Sequence, residues 1–487
     1  MSIGVVATTV QERLACEDVV LFVNAAITST GQREFRSGAA DQHISVHFLH
    51  RYMLGNYRDL YAATLALDIN DFNAALVACN LLQTPGGTPV VQRRLEGRLI
   101  ARRLEQMPPQ RVHTLFRELG RLRVNNRRTR AIIRDWLAAR PDPGFDAVKY
   151  RAAVKAASRH AHLRHAGELG TFLFAPHRQT RYDTPILETW RRAHYTAAAL
   201  YKLPYTVAEG LAAKHGIDRV LFLERIAPRL TRQERLRLQA SADRHAVDVE
   251  ADLAALPLTR LASYVLGLPR DERKERRAEL GAALRAVARR AVGRRAGTWG
   301  RVVAVLDDSF SSSGSTEKRR RPLAVALAAN YLLEALAEAY TGLWLAHRGD
   351  PLLVHPIGPT PLGDRVLDAL QRRPDRLVIV SDGWDNAPPG QAAEVLRVWR
   401  ERLDPEGSTS VVHLNPVFDA NDFDVRRLAP GIPTVGVRDA EDAPALVELA
   451  RFSAGTATLS ELRAYLAERV DRFLATGVRR PERGGAP

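Results

Sequence analysis

With 487 residues and 46% apolar side chains, the chain exceeds the size at which a single hydrophobic core keeps growing, which predicts two domains or a domain with a repeat array. Its two cysteines, Cys16 and Cys79, lie far apart without metal-ligand spacing, which argues against a disulfide framework and fits a reducing compartment. The formal charge of +16 is uneven: residues 1–300 hold 48 Lys and Arg against 29 Asp and Glu, and the remainder holds 23 against 26, so the first part suits a polyanion and the second another task.

The first twenty residues carry acids where a secretory signal carries bases, and no stretch is long and apolar enough to span a bilayer. The expectation is a soluble, cytoplasmic protein. From 43 to 295 apolar residues recur at i, i+3 and i+4, as in NDFNAALVACNLL, RVHTLFRELGRL and PILETWRRAHYTAAALYKL. Breaks carry Gly, Pro or Asn, at Gly55-Asn56, Pro85-Gly86-Gly87, Pro108-Pro109 and 141–144. Serial amphipathic helices with short connections predict an all-α HEAT-like solenoid or ring, with a compact helical bundle as the alternative. The basic run 271–295 reads as a surface helix or one that joins domains.

Within 102–192 the bases are dense and interleaved with aromatics and histidines, in RLRVNNRRTRAIIRDWL and DAVKYRAAVKAASRHAHLRHAGELGTFLF. Bases on one helix face can neutralise phosphates while rings stack on unpaired bases. The competing reading is a solvated Arg-rich face. His160, His162 and His165 lack the Cys or acidic partners that a metal cluster needs.

After 301 the pattern changes. Short apolar, β-branched runs (RVVAVLDD, TGLWLAH, DRLVIVSDG, STSVVHLN, IPTVGV) alternate with helical stretches, which predicts a mostly parallel, doubly wound α/β sheet. LSELRAYLAERVDRFL is a further amphipathic helix, and the Ser-rich SSSGSTEKRRR reads as a mobile loop. The acidic DANDFD (419–424) reads as a decorated loop rather than a second metal site. No phosphate-cradling loop, nucleophile elbow or zinc-protease pair occurs, so an enzyme is not expected.

Doubly wound sheets bind ligands beyond the carboxyl ends of their strands. Three segments there carry oxygen groups: Asp307-Asp308-Ser309-Phe310-Ser311 after the first strand, the Gly358-Pro359-Thr360 turn, and Ser381-Asp382-Gly383 after RLVIV. Mg²⁺ takes six oxygens and releases water reluctantly, which suits a few hydroxyls and carboxylates. Together the segments resemble the metal-ion-dependent adhesion site of von Willebrand factor A domains, with Asp307, Ser309, Ser311, Thr360 and Asp382 at its five positions. The resemblance implies that Ser309 and Ser311 bind a divalent cation directly, that Asp307 and Asp382 act largely through water, and that Thr360 does either. A partner's carboxylate would complete the shell. Phe310 stands where many members of that family have Gly.

The basic region resembles the TROVE module of Ro ribonucleoproteins. A helix with a basic start ends in a Trp (Arg130 and Trp136), Lys149-Tyr150-Arg151 follows, and a His-containing turn runs from His160 to Leu163-Arg164-His165. The Gly-Trp pair that normally follows the Lys-Tyr helix is missing. Ro proteins join HEAT-like repeats, curled into a ring, to a von Willebrand A domain. The resemblance implies a helical-repeat domain at 1–297, an A-like domain at 298–476 and a disordered tail at 477–487. It further implies that Lys149, Arg151, Arg159, Arg164 and His165 face small noncoding or misfolded RNA with a single-stranded 3′ end. The alternative is a protein–protein adaptor, for instance beside an AAA+ ATPase.

Overall fold

A computed structural model of the chain describes residues 9–83, 86–231, 253–453 and 458–476, with residues 234, 235 and 238 between them. The expected tail at 477–487 lies outside the described residues. A run of helices is followed by a five-stranded parallel α/β sheet. Two compact units result, and they do not follow chain order: one joins residues up to 77 with those from 253 onward, and the other spans 78–252.

In the first unit the strands are β1 (Arg301–Leu306), β2 (Ala339–Trp344), β3 (Arg376–Val380), β4 (Ser410–Asn415), the short hairpin β5 (Phe418–Asp419) and β6 (Asp424–Val425), and β7 (Thr434–Gly436). The sheet order is β2-β1-β3-β4-β7, all parallel. Val302, Val303, Val305, Val378, Ile379 and Val380 are buried, as expected for strands covered on both faces. β2 begins ahead of the apolar run TGLWLAH because Ala339 pairs with Arg301. The acidic 419–424 segment is the tip of the β5–β6 hairpin, and its last residue, Asp424, is buried.

The Arg321–Leu336 helix is apolar all round and buried along almost its whole length, which requires cover on both sides. The sheet supplies one side, and the Leu258–Gly267 and Arg277–Val292 helices supply the other. The basic 271–295 run therefore buries Leu280, Leu284, Val287 and Val292, while Arg273 is buried and donates to the carbonyls of Leu352 (2.8 Å) and Val354 (3.1 Å).

Helix α1 (Val10–Thr28) opens with a Thr9–Glu12 capping box, which satisfies donors that a bare helix start leaves open. It packs on β6, β7 and the Ala443–Ser453 helix. Asn24, 1% exposed, donates to Asp424 (3.2 Å) and accepts from the Gly436 N–H (2.9 Å). Helix α2 (Ala39–Asn56) follows, and the turn before it contacts the Ser-rich loop: Ser315 Oγ donates to the Arg33 carbonyl at 2.7 Å, and Lys318 pairs with buried Glu34. That loop, expected to be mobile, is instead anchored by a segment almost 300 positions upstream. The Leu459–Ala475 helix closes the unit against the first helices through Arg463–Asp59 and Arg469–Asp68 pairs.

In the second unit every element among the described residues is helical. Helix starts follow the breaks seen in the sequence: Asn126, Asp142 and Asp218 accept from first-turn N–H groups, and Pro109 and Pro185 occupy first-turn positions. Trp136 is buried against His113 and Phe116 and donates to the Leu104 carbonyl at 3.2 Å. Phe172, Leu187 and Phe222 anchor a second cluster.

Candidate cation site and basic surface

The chain leaves β1 toward β2 on one side and later adds β3 on the other, so the topological switch point lies between β1 and β3. Asp307 and Asp382 emerge there, at the carboxyl ends of these two strands, and the Asp307 N–H donates to the Val380 carbonyl at 3.0 Å. Gly383 follows at φ +77°, and a Cβ there would stand 2.7 Å from the Arg426 carbonyl. Only glycine suits that turn.

Four of the five predicted ligands lie together. Asp307 accepts from the Ser309 N–H at 2.8 Å, Ser309 Oγ lies 3.2 Å from Ser311 Oγ, and Asp307, Ser311 and Asp382 line one small pocket. All four residues are buried. Thr360, also buried, is carried on a turn tied to this loop by Phe310 N–H to the Gly358 carbonyl (3.0 Å) and Ile357 N–H to the Asp308 carbonyl (2.9 Å). Asn386 fixes it further by accepting from the Thr360 N–H at 2.8 Å.

Burial pushes the Asp307 carboxyl up, and the neighbouring Asp382 pushes it further, against the hydrogen bonds from Ser309. Asp382 is also raised by burial, opposed by Ser311, by the Trp384 N–H and by the charges of Arg36 and Arg426. Those two guanidinium groups lie 4.2 and 3.9 Å from the Trp384 ring centroid. Two neighbouring carboxylates that burial raises are electrostatically suited to a shared cation. Ser312 Oγ, buried without a hydrogen-bond partner, lines the same small pocket as Asp307, Ser311 and Asp382. The donor set is hard oxygen throughout, which fits Mg²⁺. Among the described residues no group of three or more His, Cys, Asp and Glu is placed to hold a metal, so any ion here depends on the hydroxyls as well as the acids.

Some contributors could not be read from spacing. Asp308, fully buried, accepts from the Ala346 and His347 N–H groups, both at 2.8 Å, and so fixes the loop to the end of β2. In the sequence it is only the second acid of a pair. Phe310 is 63% exposed and meets Phe35 edge to face at 5.9 Å.

The five basic-region residues divide. Lys149, with a side chain 19% exposed, pairs with Glu234 at 3.7 Å. Arg151 turns inward: it donates to the Phe172 carbonyl at 2.8 Å and lies about equally close to the Phe172 and Trp190 rings, 5.0 and 4.9 Å away. Arg159 and Arg164 are exposed. His165 is held by Ser158 at 2.8 Å and stacks toward Phe174, while Arg159 lies over the same ring at 5.6 Å. Phe174, 40% exposed, is the member that the sequence did not single out. The other histidines are occupied separately, His160 by the Val124 carbonyl (3.0 Å) and His162 by Asn125 (3.2 Å).

A helical region is followed by a doubly wound sheet, with an Asp-x-Ser-x-Ser loop at the switch point. Among solved structures the chain matches the crystal structure of the Deinococcus radiodurans Ro (RSR) protein, with a TM-score of 0.50 over 84% of this chain and 93% of that one, at 17% identity. The two share a fold. No protein-family model matches the sequence, and no curated protein does. No described helix is long and apolar enough to cross a membrane.

Proposed function

We propose that this protein is a non-catalytic RNA-binding scaffold of the Ro type, which holds small noncoding or misfolded RNA on its basic helical unit and a Mg²⁺-class cation in its α/β domain. The observation that carries the reading is the grouping of Arg159, His165 and Phe174, with exposed Arg164 beside them, in a stretch (102–192) where 20 bases face 8 acids. The Ro fold supports it. Guanidinium groups neutralise phosphates, and a ring flanked by Arg and His offers a stacking surface to an unpaired base. Because Lys149 and Arg151 are engaged within the fold, Arg159, Arg164 and His165 carry more of the contact. In the α/β domain, Asp307, Ser309, Ser311, Thr360 and Asp382 would hold the ion, which would accept a carboxylate from a protein partner.

The test is a salt titration with an RNA hairpin bearing a single-stranded 3′ tail. Affinity should fall steeply with salt and weaken when the tail is removed, and Arg159→Ala with Arg164→Ala should reduce the slope by about 1 to 2. Tail-insensitive binding in the micromolar range or weaker at physiological salt would favour the adaptor reading.

A further inference from the structure

The helical unit contains a cavity of about 280 Å³ immediately beside the Arg159–Phe174–His165 group. Leu137, Val154, Leu163 and Leu169 supply apolar walls. One wall is polar: Asp146, only 4% exposed, accepts from Arg140 Nε at 2.5 Å and Nη2 at 3.3 Å. At the mouth stand the exposed Arg134 and Arg164. Among the described residues Arg134 pairs with its exposed neighbour Asp135, an arrangement weak enough to yield to a phosphate.

We propose that this cavity receives one unpaired nucleobase from the bound strand. The inference rests on the RNA-binding reading and adds a site to it. The volume lies at the small end of ligand pockets, which suits a single base rather than a peptide helix. Apolar walls take the faces of a planar ring. The Arg140–Asp146 pair presents a donor group and an acceptor group together, the combination that a base edge can match. The positive mouth suits the flanking phosphates, and the Phe174 ring, next to His165 on the cavity wall, gives the neighbouring base a surface on which to stack. The walls come from helices Arg127–Ala138, Pro143–Lys149 and Arg151–His160 and from the turn leading into Gly167–Phe174, so the pocket is built into the helical packing.

Ala138 lies exposed at the rim, so Ala138→Phe puts a ring into the cavity without disturbing the core. The full-length protein is titrated with the tailed hairpin carrying the fluorescent base 2-aminopurine at successive tail positions. In the wild-type protein, emission should change sharply at one position. The variant should lose that change, bind the tailed RNA about tenfold more weakly, and keep both its melting temperature and its salt slope. Unchanged affinity and emission in the variant would overturn the proposal, and so would a loss of affinity accompanied by a smaller salt slope, which would assign the defect to phosphate contacts. If the wild-type protein binds no tailed RNA, the RNA reading fails, and the base site fails with it.

Discussion

Asp307 and Asp382 are 5% and 7% exposed, and each is raised by burial, Asp307 also by its neighbour. Without an ion, ionising both is unfavourable; with one, the same pair becomes the source of affinity. The two states therefore respond oppositely to one substitution. In EDTA and mildly alkaline buffer, Asp307→Asn should stabilise the protein by about 1 to 2 kcal/mol in denaturant unfolding, since it removes one of two crowded charges. Millimolar Mg²⁺ should raise the melting temperature of the wild-type protein and leave that of the variant unchanged. A wild-type melting temperature indifferent to Mg²⁺, Mn²⁺ and Ca²⁺ alike would remove the cation from the site. Arg151 carries a different lesson at this scale. Its helical position is compatible with facing solvent, but Phe172 and Trp190, 21 and 39 positions later, supply an inner partner, and local spacing does not encode such a partner.

At the scale of elements, the sheet strands were legible because a strand buried on both faces must be a short, continuous, β-branched run. The placing of Asp307 and Asp382 was legible for a related reason: each follows a strand end, where a doubly wound sheet turns its loops toward one edge, whereas Thr360 sits on a turn beyond the Pro351–Leu353 helical turn. The partners of helix α1 were not legible. Its apolar residues say that it is buried, not what lies against it, and the structure seats it on β7. A Cβ on Gly436 would stand 2.8 Å from the Asn24 carbonyl and 2.9 Å from Thr28 Cγ2. Gly436→Ala should therefore cost about 1 to 3 kcal/mol. Gly97, inside the Val90–Gln106 helix with open space around it, should show the opposite sign, with Gly97→Ala gaining roughly 0.5 to 1 kcal/mol. Chemical denaturation of both variants checks the pair, and equal effects at the two sites would mean that α1 does not press on β7 as described.

For the whole molecule, the compact unit that contains the sheet draws helices from both ends of the chain. The Arg321–Leu336 helix needs the Leu258–Gly267 and Arg277–Val292 helices over it, and β7 needs α1. A fragment of residues 298–476 alone should therefore melt without cooperativity and bind a hydrophobic dye, whereas the full chain should not. A sharp two-state transition in the fragment would show that the covering helices are dispensable. The same arrangement bears on synthesis at the ribosome. Asn24 and its partner Gly436 are 412 positions apart, and translation at about 5 to 20 residues per second separates their emergence by roughly 20 to 80 seconds. Throughout that interval Val19, Phe22, Val23 and Ile27, all buried in the finished fold, lack their final seat on β7, so the first helix to be made is among the last to be fully covered.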